Sequence, residues 1–220
     1  MSNRWAWFAL VILAAASATA QQAGVRLTAE QVDRHYNRLH SLQADFTETY
    51  SGGGTQRSES GTLWMKKPGC MRWEYRQPRA KFFITDGKTA WFYVPEERQA
   101  RRAEIKKMSD LRSPLRYLLG HSRLEEELHS LSLAPDRKPE TPGAIVLRGV
   151  PAGMEDRIAE VRMEIGPAGS ILRIYIEELD GSTTDFRLRG ERDDVTVGDE
   201  RFRFQPPPGV EVMQSSELQP

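Results

Sequence analysis

The chain has one cysteine, Cys70, and it sits in "KKPGCMRWEYRQP" (residues 66–78) among lysines, arginines and aromatic rings. A thiol in a basic setting becomes a nucleophile when a histidine stands close enough to take its proton. None of the four histidines answers that description: three of His35, His40, His121 and His129 fall on expected helices, and none on a nucleophile-like turn. No G-x-S-x-G, H-E-x-x-H or paired metal-ligand spacing occurs. Cys70 therefore reads as a turn thiol. The run Glu125-Glu126-Glu127 is no better as acid–base machinery, because consecutive helical positions do not share a face. Asp193-Asp194 lacks the alternating oxygen ligands of a calcium loop. No enzyme, metal or cofactor is expected.

The alternation "MRWEYR" has the aromatic and cationic mixture of a platform for single-stranded nucleic acid. Glu74 stands among its arginines, and the whole chain balances 31 basic residues against 31 acidic ones. A nucleic-acid surface calls for a basic excess, so that partner is not expected. The stretch reads as a strand with Met71, Trp73 and Tyr75 on one face and Arg72, Glu74 and Arg76 on the other.

The elements that position these residues begin after a targeting segment. Arg4 opens it, "WAWFALVILAAA" is its apolar run, and Ala18-Thr19-Ala20 supplies an A-x-A cleavage site. Cleavage is expected after Ala20, an uncleaved anchor being the alternative, and the residue exposed there is Gln21, not a cysteine to be lipidated. No later apolar stretch is long enough to cross a bilayer. What remains, 21–220, is expected to be one exported domain without disulfides, held by its core.

That domain is patterned mainly for strands. Thr28 and Gln31 form a capping-box signal for a helix over 28–40, with Val32, Tyr36 and Leu39 at helical spacing. From Leu42 the period changes to two, and "LQADFTETY" places Phe46 and Tyr50 on one face. "SGGGTQRSES" is a hairpin loop, "GTLWMKK" a strand carrying Leu63 and Met65, and Pro68-Gly69 a turn. "KFFIT-DG-KTAWFYV" is a hairpin with a type I′ turn at Asp-Gly, followed by a further strand in "ERQARRAEI". "SPLRYLLG" (113–120) and "LEEELHSL" read as short helices. Four strands then follow, "AIVLRGV", "RIAEVRMEI", "ILRIYIEEL" and "TTDFRLRGE", and a last one in "RFRFQPPPGVEV", ended by its three prolines. Ten or eleven strands in one domain require a strongly curved, incomplete antiparallel β-barrel whose open apolar face is covered by the helices.

These segments together resemble the outer-membrane lipoprotein carrier protein family, the LolA-type periplasmic chaperones. The resemblance runs through "SLQADFTETY", "GTLWMKKPGCMRWEYRQP", "FFITDGKTAWFYVPEERQA", "SPLRYLLG" and "FRFQPPPGVEV", and is densest from Leu42 to Tyr93. It implies a half-barrel that accepts lipid-modified proteins from an inner-membrane lipoprotein-releasing ABC transporter. Their acyl chains cross the periplasm on it and pass to an outer-membrane receptor lipoprotein. A monomer is expected. By position, the lipid cavity takes Phe46, Leu63, Met65, Met71, Trp73, Tyr75, Phe83, Trp91, Tyr93, Ile174 and Ile176. Leu115, Leu118 and Leu119 match a lid helix. Lys67 stands where the family has an arginine that latches the lid, and lysine lacks the planar multi-donor fork of arginine. Two other readings use the same fold: a carrier of another lipid or glycolipid, and a periplasmic half-barrel sensor or regulator, for which a second domain is expected.

Overall fold

A computed structural model of the chain describes residues 4–105 and 123–215, with side chains from Gln21 onward. Twelve strands form a single sheet: β1 (Ser41–Gly52), β2 (Thr55–Lys66), β3 (Cys70–Gln77), β4 (Lys81–Asp86), β5 (Thr89–Val94), β6 (Gln99–Glu104), β7 (Leu128–Leu133), β8 (Ile145–Pro151), β9 (Ile158–Ile165), β10 (Ile171–Glu178), β11 (Thr183–Asp193) and β12 (Glu211–Gln214). Their order is β12-β6-β5-β4-β3-β2-β1-β11-β10-β9-β8-β7. Two antiparallel meanders are thus joined by the β1–β11 pair, and the end strands β12 and β7 do not meet, so the barrel stays open. β12 is the exception to antiparallel pairing and lies parallel to β6.

Several elements differ from the sequence expectation for clear reasons. The expected loop at residues 51–60 shrinks to Gly53-Gly54, whose φ angles of 57° and 75° suit a two-residue hairpin turn, and the polar residues after it extend β2. At the β4–β5 hairpin, the Asp86 carboxylate accepts the amides of Lys88 and Thr89 at 2.9 and 2.8 Å. That widens the turn beyond type I′ and sets Thr85 opposite Ala90. "LEEELHSL" divides into one helical turn, α2 (Leu124–Glu127), and β7. The closing strand, expected before the three prolines, lies after them. A 3-10 turn occupies Asp199–Phe202, and pairing resumes only at Glu211.

The first helix, α1 (Arg4–Arg38), is longer than 28–40, because nothing in the run before Thr28 breaks it. Thr28 is consequently no cap: its hydroxyl donates to the Gly24 carbonyl at 2.9 Å, one turn back. Val25, Ala29, Val32, Tyr36 and Leu39 are all buried and, spaced by fours and threes, make one apolar stripe that joins the core on the inner face of the sheet. Contact with the β9–β10 turn is close enough to require glycine. A Cβ on Gly169 (φ +87°) would stand 2.6 Å from the Gln31 carbonyl oxygen. Among the described residues no helix is long and apolar enough to cross a membrane.

Candidate functional site

Strand register assigns each side chain to a face. Leu63 lies opposite Trp73, Trp73 opposite Phe83, and Phe83 opposite Phe92. Met65 lies opposite Met71, and Phe46 opposite both Gly61 and Leu188. Directly opposed residues in an antiparallel pair share a face, so these side chains form one inner surface. It continues through Ile174 opposite Phe186 and Met163, and through Ile176 opposite Val161. Phe46, Leu63, Met65, Met71, Trp73, Tyr75, Phe83, Ile174 and Ile176 are each 0–6 % exposed and belong to one apolar cluster with the α1 stripe. Phe46 meets Trp73 and Tyr75 edge-on, at 4.7 and 4.8 Å between ring centres.

Trp91 and Tyr93 are a correction. An even number of residues separates β4 from β5, so odd positions on one strand oppose even positions on the other. Trp91 faces Ile84, and Tyr93 faces Phe82. Both lie on the outer face, where their rings pack 5.3 and 5.1 Å from Phe204 of the C-terminal segment. The inner position falls to Phe92, partly buried against the core. The lid residues Leu115, Leu118 and Leu119 lie outside the described residues, as does His121.

Tyr75, on this surface, and the polar groups beside it are paired. Tyr75 donates its hydroxyl to Glu48 at 3.0 Å, and the Lys81 ammonium lies 4.0 Å from the centre of the Tyr75 ring while pairing with Glu59 at 2.5 Å. Burial pushes the Glu48 carboxyl up, opposed by the Tyr75 hydrogen bond. It also pushes the Tyr75 phenol well above its usual range, reinforced by the Glu48 charge.

The last turn of α1 is held from two sides. Lys67 donates its ammonium to the carbonyls of Tyr36 (2.6 Å) and Asn37 (3.0 Å), and its backbone N–H to His40 O (2.8 Å). Burial lowers the Lys67 pKa from its usual value, the Asp194 carboxylate opposing. From β11, Glu191 contacts His35 Nε2 at 2.8 Å and accepts the Tyr36 hydroxyl at 3.0 Å, and that hydroxyl in turn accepts the Ile171 amide at 2.8 Å. His35, Glu191 and Asp193 bring ligand-type atoms within 4.8 Å of one another. Both Glu191 oxygens are already occupied by the helix, so the trio reads as a tether for α1.

Cys70 has no activating partner among the described residues. Burial first, then the Asp199 and Asp86 charges, raise its thiol pKa, the opposite of what a nucleophile needs. The outer face is ionic, with Arg173 paired to Asp185 (2.6 Å) and Glu140 (2.8 Å), and Arg162 paired to Glu177 (3.2 Å). A polar cleft of about 430 Å³ opens there, between the 136–138 loop and β9–β10, away from the apolar surface.

Sequence reasoning named inner residues chiefly from β1 to β5 and missed Val161, Met163, Phe186, Leu188 and Phe92. The alternation in "RIAEVRMEI" and "TTDFRLRGE" carries the signal for the first four. The Glu191 tether has no local signature, since it joins residues 155 and 156 positions apart.

Comparison with known proteins places this geometry. The model of the family described as "Outer membrane lipoprotein carrier protein LolA" matches residues 37–205. The outer-membrane lipoprotein carrier protein of Alkalilimnicola ehrlichii is 29 % identical over 200 residues, covering 89 % of this chain and 86 % of that one. The protein of the same name from Chromobacterium violaceum is 26 % identical over 217 residues, covering 93 % and 94 %. Among solved structures, an uncharacterized conserved protein from Thermus thermophilus superposes with a TM-score of 0.56 at 14 % identity, over 87 % of this chain and 99 % of that one, which speaks to the fold alone.

Proposed function

The chain belongs to the outer-membrane lipoprotein carrier protein family, and from that premise we propose that it is a periplasmic chaperone. It binds the acyl chains of lipoproteins released from the inner membrane and delivers them to the outer membrane. The observation that carries the reading is the inner face itself. Among the described residues, aromatic and aliphatic side chains from strands on both halves of an open barrel join one apolar cluster with a stripe of Val25, Ala29, Val32, Tyr36 and Leu39. Partners on the two sides are an inner-membrane ABC transporter and an outer-membrane receptor lipoprotein.

Energetics favours exchange over simple capture. Burying a CH₂ contributes ~0.8 kcal/mol, so three chains of ~15 carbons would release on the order of 35 kcal/mol if fully covered. Non-covalent affinities level off near ~20 kcal/mol, and a carrier that bound so tightly could not hand its cargo on. Acyl chains therefore displace the α1 stripe already seated on the same surface, which leaves a modest net gain. Val25, Ala29 and Val32 contribute no hydrogen bond that an acyl chain must replace. Lys67, in the place of the family's arginine, holds the last turn of α1 through two carbonyls.

Purified protein added to spheroplasts is expected to release lipoproteins into the medium, and buffer alone is not. Absence of release, with the folded protein in excess, removes the carrier reading. Native mass spectrometry of protein purified from its periplasm identifies the cargo: a lipoprotein supports the proposal, whereas a free glycolipid or a signalling protein points to the other uses of the fold.

A further inference from the structure

Among the described residues, three buried side-chain atoms have no hydrogen-bond partner: His35 Nδ1, Arg162 Nε and Trp73 Nε1. The first two belong to groups that bond through other atoms, His35 Nε2 to Glu191 and Arg162 Nη2 to Glu177. Indole has a single polar atom, so Trp73 is the one whose whole hydrogen-bonding capacity is unspent. It is 0 % exposed and lies in the middle of the inner face, between Leu63 and Phe83 in register, with its ring edge-on to Phe46 and Phe186. The other large aromatic groups with polar tips on this surface are satisfied, Tyr75 by Glu48 and Tyr36 by Glu191 and Ile171.

A buried donor left without an acceptor weakens the state that contains it, and a ligand that supplies the acceptor recovers the loss on binding. The ligand of this face, on the reading above, is an acyl group, and every acyl group carries one acceptor at its root, the ester or amide carbonyl. We propose that the Trp73 indole N–H donates to that carbonyl. Trp73 thereby makes the site selective for acyl over alkyl chains and sets how deep the chain root sits. An apolar face alone would not distinguish the two, because their hydrocarbon is the same. This rests on the carrier reading and adds a polar specificity determinant to it.

The test compares a diacylglyceryl lipopeptide with its dialkyl ether analogue of equal chain length, which has no carbonyl at the chain root. Wild-type protein is expected to bind the ester about tenfold more tightly, and the Trp73→Phe variant to bind both alike, with the ether affinity changed by less than about threefold. Should phenylalanine disturb packing, 3-benzothienylalanine at position 73 keeps the bicyclic shape and replaces N–H with sulfur, and it too is expected to abolish the preference. In wild-type protein the indole ¹⁵N–H resonance of Trp73 should shift downfield with the ester and not with the ether. Equal affinity for ester and ether in the wild type, or a preference that survives loss of the N–H, overturns the proposal and leaves the donor to the neighbouring aromatic faces. Failure of both lipids to bind overturns the carrier reading and this proposal with it.

Discussion

Trp73→Ala lowers the free energy of unfolding by about 3–5 kcal/mol, the usual range for emptying a fully buried aromatic site. Trp73 is 0 % exposed and touches Phe46 and Phe186 edge-on, so its removal leaves a cavity bounded by rings carried on different strands. Those rings are fixed by the β1–β2–β3 and β10–β11 ladders and cannot collapse into the gap without breaking register. The loss should appear in urea unfolding as a lower midpoint with an unchanged slope, and thermally as a fall on the order of 10 °C. The same deletion acts on function in a second way, because the void lies on the proposed acyl surface: cargo should be held less tightly. A stability loss below about 1 kcal/mol would mean that the inner face is looser than its burial indicates.

Val32→Asp has an effect of similar size and opposite consequence for cargo. Val32 is 1 % exposed, in the middle of the α1 stripe. A carboxylate there faces apolar side chains, and an uncompensated buried charge costs about 3–5 kcal/mol. The cheapest relief is for α1 to lift. The polar bonds that tie α1 to other described elements start at residues 33–38 (Asp33 to the Leu124 amide, His35 and Tyr36 to Glu191, Lys67 to the last carbonyls). The segment from Gln21 to Val32 can therefore leave without orphaning any of them. Amide exchange over 21–32 should accelerate, a hydrophobic dye should bind the exposed face, and loaded cargo should be retained because the competing α1 stripe is gone. Unchanged exchange together with absent dye binding would show that α1 is not the cover.

The parts of this architecture written in local pattern were legible. The alternation in "MRWEYR" placed Met71, Trp73 and Tyr75 together, and they do share the buried face. The placement of Trp91 and Tyr93 by family position went wrong. Each strand alternates correctly by itself, and only the count of residues between them decides which parity faces in. Thr28 was misread as a helix start because a capping box describes local chemistry, whereas the helix continued through it on the strength of the residues before. The Glu191 tether and the parallel β12–β6 pair depend on contacts between distant segments. The closing strand was expected before the three prolines, whereas the residues that pair lie after them, on a distant strand that no local pattern names.

The central claim is that one face of this sheet, and not the other, holds acyl chains. A photoreactive phenylalanine analogue at Phe83 (inner face) and at Tyr93 (outer face), in separate proteins loaded with an acylated lipoprotein, tests it most directly. A cross-link to the acyl chain is expected from position 83 and none from position 93. Cross-linking from position 93 alone, or from neither position while cargo is bound, would contradict it.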